Sequence, residues 1–201
     1  VEMLFHGFYN LEHVGDILLA RLGEGKTFSY DKHDDLVVLK DQKNNIIGYN
    51  LLNASSHLRK INDGLVEFSD DQIEKFNQIL SKYDLQTVTI DRNPKFIVGK
   101  VVEIEDHPDS DHLHICQVDL KNETKQIVCG APNVALNQLV VVATIGAIMP
   151  SGMIIKPSKL RKVDSYGMLC SARELNLPNA PQVRGILVLD EDKYQAGDSF
   201  F

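Results

Sequence analysis

The sequence predicts an α+β amino-terminal domain followed by an all-β barrel, and three observations carry that reading. Apolar runs of strand length recur along the whole chain, separated by turn residues. One stretch with helical spacing of apolar residues stands near the end of the first half. Midway, the polar run Asp91-Arg92-Asn93-Pro94 interrupts the pattern, and Pro94 disfavours helix at the residue before it. The expected division is 1–91, a small acidic α+β domain, and 92–201, a β-barrel domain.

In the first half, strands are expected from Leu4 to Ala54. Val14–Ala20 is apolar and partly alternating. Leu36–Lys40 and Ile46–Leu51 flank a hairpin loop, residues 41–45, rich in side chains that tolerate left-handed backbone. Ser69 then caps a helix, with Gln72 three residues on and acids in the first turn. Ile73, Phe76, Ile79 and Leu80 recur at helical spacing and form its buried face. Residues 30–35 (YDKHDD) gather acids and a histidine in an expected exposed turn, where such groups face solvent rather than a metal. Nothing in this half names a chemistry.

In the second half, Phe96–Ile104 reads as a first strand, with Gly99 marking a bend or a close approach of backbone. Leu113–Leu120 follows, with Ile115 and Val118 expected to point inward. Gln126–Cys129, the continuous apolar run Leu139–Thr144 and, after a long interruption, Gly185–Leu189 complete five strands. That pattern fits a partly open barrel of the OB type, an architecture that binds oligonucleotides or oligosaccharides across one face and its flanking loops.

Net charge is −7 over 201 residues, which by itself argues against a polyanionic ligand. The distribution of charge argues the other way. Residues 1–91 hold 9 Lys and Arg against 15 Asp and Glu, whereas residues 92–201 hold 12 against 13. Within Lys156–Arg173 five cations meet a single anion, Asp164. A phosphate backbone senses such a patch over a Debye length of about 8–10 Å, not the total. Lys156, Lys159, Arg161 and Lys162 then run into residues 165–171 (SYGMLCS), which are small, soft and apolar. Cations beside an adaptable neutral surface suit a ligand that carries both phosphates and bases.

Other chemistries find little support. His107, His112 and His114 lie near one another, but their spacing matches no zinc pattern, and Cys116, Cys129 and Cys170 fall in apolar strands as small core residues. His107 and Pro108 are expected to shape a turn, with Asp111 bonding the loop backbone. Neither a metal nor a cofactor is expected. No nucleophile–base order, phosphate loop or paired carboxylates stand out, so the protein reads as non-catalytic. Three cysteines without a CxxC pair point to a reducing cytoplasm. No apolar run approaches the roughly 18 residues of a membrane span, and the start at Val1 lacks the layout of a secretory signal.

Four motifs now stand in order: HPDSDHLHICQVD (His107–Asp119), IVCGAPNV (Ile127–Val134), VVATIGAIMP (Val141–Pro150) and IKPSKLRKVDSYGMLCSARELNL (Ile155–Leu177). Together they closely resemble the tRNA-binding OB domain found in the bacterial phenylalanyl-tRNA synthetase beta subunit, in some methionyl-tRNA synthetases and in stand-alone tRNA-binding proteins. The acidic first half joined to this domain resembles the stand-alone, YtpR-type members of Gram-positive bacteria. The resemblance implies phosphate contacts for Lys156, Lys159 and Arg161, to which the neighbouring Lys162 adds charge where a glycine is common. It implies ligand contacts for the Ser165, Gly167, Met168 and Ser171 segment: a hydroxyl from Ser165, close backbone approach at Gly167, and packing of Met168 on a base or sugar. Leu169 reads instead as buried, Asn133 as holding its turn, and Glu174 as a cap or a partner of Arg173. His112 stands where many members carry Lys or Arg, and Tyr166 is the only aromatic in the motif, so affinity should rest on phosphates and tRNA shape. The implied partner is tRNA. A homodimer is compatible with this family, and so is the alternative reading, a scaffold module whose acidic half recruits a translation-related protein.

Overall fold

The structure, a computed structural model, describes residues 5–201; residues 1–4, with the expected strand start at Leu4, lie outside the described residues. The chain forms two compact units, Val1–Arg92 and Asn93–Phe201.

The first unit is an antiparallel sheet of six strands: β1 (His6–Asn10), β2 (Gly15–Arg21), β3 (Ser29–His33), β4 (Leu36–Lys40), β5 (Ile46–Leu52) and β6 (Gly64–Leu65). Their spatial order is β3-β4-β5-β2-β1-β6. The β4–β5 hairpin closes where Asp41 accepts the backbone N–H groups of Lys43 and Asn45, with Asn44 left-handed at φ 66°. Two helices, α1 (Ala54–Leu58) and α2 (Asp70–Lys82), accompany the sheet. The expected capping box opens α2: Gln72 N donates to Ser69 Oγ at 3.1 Å, and Ser69 N donates to Gln72 Oε1 at 3.0 Å. Phe76 and Leu80 are fully buried against Tyr49, Phe5 and Leu58, while Ile73 and Ile79 flank them. Each such apolar side chain contributes about 1.5–3 kcal/mol on burial. The segment expected as an exposed turn is instead mostly β3, an exposed edge strand, because Asp31–His33 extend into register with Leu36–Val38 of β4.

The second unit is a near-closed antiparallel barrel of the OB type. Its strands are β7 (Phe96–Asp106), β8 (His114–Asp119), β9 (Thr124–Cys129), β10 (Leu139–Ala143), β11 (Ser158–Leu160), β12 (Val163–Ser165), β13 (Met168–Leu169) and β14 (Val188–Leu189). The main sheet runs β13-β10-β7-β8-β9, with β14 also beside β10. Strand β10 is buried on both faces, which explains its unbroken apolar sequence. Val140 and Val142 join Val101, Cys116, Val118 and Ile127 in one cluster; Leu139, Val141 and Ala143 join Val98, Met149 and Cys170 in another. Cys116 rather than Ile115 shares the inward face with Val118, as the two-residue period of a strand requires. At Gly99 an added Cβ would stand 2.5 Å from Val118 Cγ1, so the close approach expected there is real.

Two features close this unit. Tyr166 N donates to Gln126 O at 2.8 Å and Gln126 Nε2 donates to Asp164 O at 2.7 Å, tying the segment after β12 to the free side of β9. At the end of the chain, Val98 N donates to Asp198 O and Gly197 N to Val98 O, both at 2.8 Å, so the last residues lie beside the first half of β7. The final strand is shorter than expected: only Val188 and Leu189 of Gly185–Leu189 pair, both with β10.

Candidate nucleic-acid interface

The cationic stretch is a hairpin, not an irregular loop. Strands β11 and β12 pair Ser158 with Ser165, Lys159 with Asp164 and Leu160 with Val163, which leaves Arg161 and Lys162 as a two-residue turn. Both turn residues have positive φ, 45° and 74°, as a right-twisted hairpin of this length demands. Lys156, Lys159, Arg161 and Lys162 are all exposed. Lys159 Nζ lies 3.5 Å from Asp164 Oδ1 directly across the ladder, so part of its charge is met internally. Among the described residues, Lys162 has no acidic partner.

A buried histidine holds this hairpin to the loop after β7. His107 is 3% exposed; its Nε2 lies 3.0 Å from Leu160 O, and its Nδ1 lies 3.0 Å from Asp109 N. Arg161 Nη1 donates back to the carbonyl of Asp109. The turn expected at His107 is therefore also a tether reaching 53 residues along the chain. Asp111 takes a hydrogen bond from the loop backbone, its own N–H, as expected, but its carboxylate is held first by the His112 ring at 2.8 Å; together these keep its pKa below the usual carboxylate range.

The segment after the hairpin is committed to the fold more than to solvent. Ser165 is 1% exposed, and its Oγ accepts the N–H of Val128 at 3.0 Å, so its hydroxyl serves the β9 edge. Gly167, at φ 142°, passes so close to β10 that a Cβ would stand 3.0 Å from Ala143 O. The close approach expected there is to the protein's own backbone. Ser171 N donates to Glu174 Oε2 at 2.7 Å and Glu174 N to Ser171 Oγ at 3.1 Å, a reciprocal cap that occupies Ser171 and settles Glu174 as a cap. Leu169 and Cys170 are buried, while Met168 is partly exposed and Tyr166 exposed.

Met168 also lines an open groove of about 910 Å³, built largely from residues of the second and fourth motifs. Its lining includes Gly130, Ala131, Ala172, Arg173, Val183 and Arg184. Asn133 spans it: Nδ2 donates to Ile186 O and Oδ1 accepts Ile186 N, both at 2.9 Å, so Asn133 holds more than its own turn. In sequence it stands inside the motif Ile127–Val134, whose spacing does not reveal the partner 53 residues on. Arg184 falls outside the four motifs altogether.

Among the described residues, no three His, Cys, Asp or Glu side chains are grouped to hold a metal. The cysteines are free and buried, and burial pushes the Cys116 and Cys170 thiols up to about 12. Among the described residues, no helix is long and apolar enough to cross a membrane.

A family model described as "Putative tRNA binding domain" matches residues 96–198, and a domain of unknown function (DUF4479) matches residues 23–89. The "Putative tRNA-binding protein YtpR" of Bacillus subtilis (strain 168) is 47% identical over 199 residues, covering 97% of this chain and 98% of that protein. The phenylalanine–tRNA ligase beta subunit of Sulfurimonas denitrificans is 51% identical over 106 residues, which is 52% of this chain but 13% of that one. A solved structure of a MetRS related protein from Pyrococcus horikoshii aligns with a TM-score of 0.40 and 21% identity over 53% of this chain and 88% of its own. With its barrel matched from strand β7 to the closing tail, the chain belongs to the tRNA-binding domain family and, along nearly its whole length, to the YtpR-type group within it.

Proposed function

We propose that this protein binds tRNA without catalysing a reaction on it, and that the β11–β12 hairpin supplies the phosphate contacts. One observation carries the reading: Lys159, Arg161 and Lys162 occupy an exposed, two-residue-turn hairpin that is tethered to the barrel instead of waving free. A tethered cluster presents its cations at fixed spacing, which favours a folded RNA of matching shape over a generic polyanion. Lys156, also exposed, lies in the segment just before the hairpin. Ser165, Gly167 and Ser171 support the site by building its backbone, and Met168 contributes a soft, partly exposed side chain.

Titration of the full chain with total tRNA at two salt concentrations tests this, comparing wild type with Lys159→Ala/Lys162→Ala. Each phosphate contact adds about −0.7 to −0.9 to the slope of log K against log salt, so the double variant should lose roughly 1.4–1.8 from that slope. An unchanged slope, or equal affinity of wild type for duplex DNA and tRNA, contradicts the reading.

A second reading draws on the first unit. Its edge strand β3 is exposed, and Phe28 and Tyr30 are 69% and 68% exposed in a half with net charge −6. Such an edge suits a protein partner, and a pull-down whose partners survive RNase treatment would favour a scaffold role.

A further inference from the structure

We propose that the free edge of β3 pairs with the same edge of a second copy of this chain, so that the two first units share one continuous antiparallel sheet. The inference rests on the reading of β3 as a protein-binding edge and needs no RNA. Strand β3 ends its sheet, and Ser29, Tyr30, Asp31 and Lys32 are all exposed. The two-residue turn at 34–35 makes His33 and Leu36 a hydrogen-bonded pair, so the alternate residues Tyr30 and Lys32 turn their N–H and C=O groups away from β4. The edge is also held firm. Tyr83 Oη donates to Asp34 Oδ2 at 2.5 Å, and the His33 ring stacks on the Tyr83 ring with centroids 4.9 Å apart.

Symmetry and charge name the occupant. Two antiparallel copies of one strand, related by a two-fold axis, place some residue directly opposite itself, because facing residues share a side of the sheet. Centred on Asp31 or on Lys32, the pairing sets like charges face to face. Centred on Ser29 it opposes Lys32 to Lys26, and centred on His33 it opposes Asp31 to Asp35. Centred on Tyr30, it avoids every such clash. The two Tyr30 side chains then meet, with main-chain bonds from the N–H of each to the C=O of the other. Ser29 stands opposite Asp31, whose carboxylate already holds Lys40 Nζ at 2.5 Å and keeps an oxygen for the serine hydroxyl. Phe28 comes level with Lys32, which has no acidic partner among the described residues, and its ring can take the ammonium. Phe28 and Tyr30, 69% and 68% exposed, are covered together. Lys32 thus discourages other strands at this edge while fitting its own copy.

Sedimentation equilibrium of the RNase-treated full chain from roughly 5 to 500 µM tests this, a range suited to a small, reversible contact. Wild type should pass from monomer to dimer. Tyr30→Lys sets like charges opposite each other at the two-fold axis and should keep the chain monomeric throughout. Each pair away from the axis occurs twice, so Phe28→Asp, an acid level with Lys32, should dimerise roughly tenfold more tightly than Phe28→Lys. Residue 30 and its copy have Cα atoms about 5.5 Å apart, within disulfide reach. The native cysteines are buried, so oxidised Tyr30→Cys should give a disulfide-linked dimer, whereas Asp31→Cys, offset from its copy by two residues, should not. Thermal unfolding checks that these exposed-site variants keep their fold. A chain monomeric at every concentration, a dimer that Tyr30→Lys leaves intact, equal affinity of the two Phe28 variants, or equal cross-linking through positions 30 and 31 would overturn the proposal. If the chain stays monomeric but wild type captures RNase-resistant partners that Tyr30→Lys loses, only the second copy falls; without such partners the edge reading falls with it.

Discussion

The ring of His107 joins two backbone groups, those of Asp109 and Leu160: Nδ1 accepts Asp109 N–H and Nε2 donates to Leu160 O, each at 3.0 Å. An amide N–H can only donate and a carbonyl can only accept, so this geometry fixes the neutral Nε2–H tautomer. His107→Leu leaves both groups unpaired, at a cost of about 1–3 kcal/mol in stability. The hairpin carrying Arg161 and Lys162 should exchange its amide hydrogens faster, and tRNA affinity should fall although His107 touches no ligand. His107→Gln, which keeps an amide donor and an acceptor, should recover part of both. Hydrogen exchange over residues 158–165 and tRNA titration check this; unchanged exchange would show that the tether is dispensable.

Ser165→Ala removes the acceptor for the buried N–H of Val128. The expected cost is about 1–3 kcal/mol in thermal or denaturant unfolding. Since Ser165 faces inward, the salt slope of tRNA binding should stay at its wild-type value. A shifted slope without loss of stability would return the hydroxyl to the ligand.

Lys162 sits at φ 74°, a conformation that costs a residue with a Cβ about 1–2 kcal/mol more than glycine. Lys162→Gly should therefore raise stability by up to about 1 kcal/mol while lowering the salt slope by about 0.7–0.9. Unfolding and binding would move in opposite directions, which separates the backbone role of this position from its charge.

Asp16 takes hydrogen bonds from Ser55 Oγ at 2.6 Å, from Ser55 N at 2.9 Å and from Tyr9 OH at 2.8 Å. The Ser55 hydroxyl is the main cause of a pKa lowered from 3.8, against a smaller opposing effect of burial. A depressed folded-state pKa contributes stability above the ordinary carboxylate pKa and loses it as pH falls through the folded value. Unfolding of the first unit should thus become easier on acidification from about pH 5 to pH 3, and Asp16→Asn should flatten that dependence while lowering stability at neutral pH.

How much of this was legible depended on the length of each signal. Strand β10 and helix α2 announced themselves because five contiguous apolar residues and a Ser69–Gln72 cap are strong, local patterns. Hairpin β11–β12 did not, since three-residue strands containing Lys159 and Asp164 carry no alternation, and a turn of Arg161 and Lys162 lacks the usual Asn or Gly. The four cations were visible as charge, but the tether from His107 depends on a contact 53 residues away. Ser165 and Ser171 show the sharper limit: a hydroxyl in a ligand-binding motif and a hydroxyl holding the backbone look alike until its hydrogen-bond partners are known.

The pairing of residues 197–200 with the start of β7 bears on how the protein is made. Phe96–Val98 emerge from the ribosome about a hundred residues before Gly197–Phe200, the segment that pairs along them. During translation that stretch of β7 stays open on one side, while the acidic first unit is already complete. Synthesis that stalls near residue 190 would leave a nascent barrel with an unsatisfied strand edge, a natural target for chaperones.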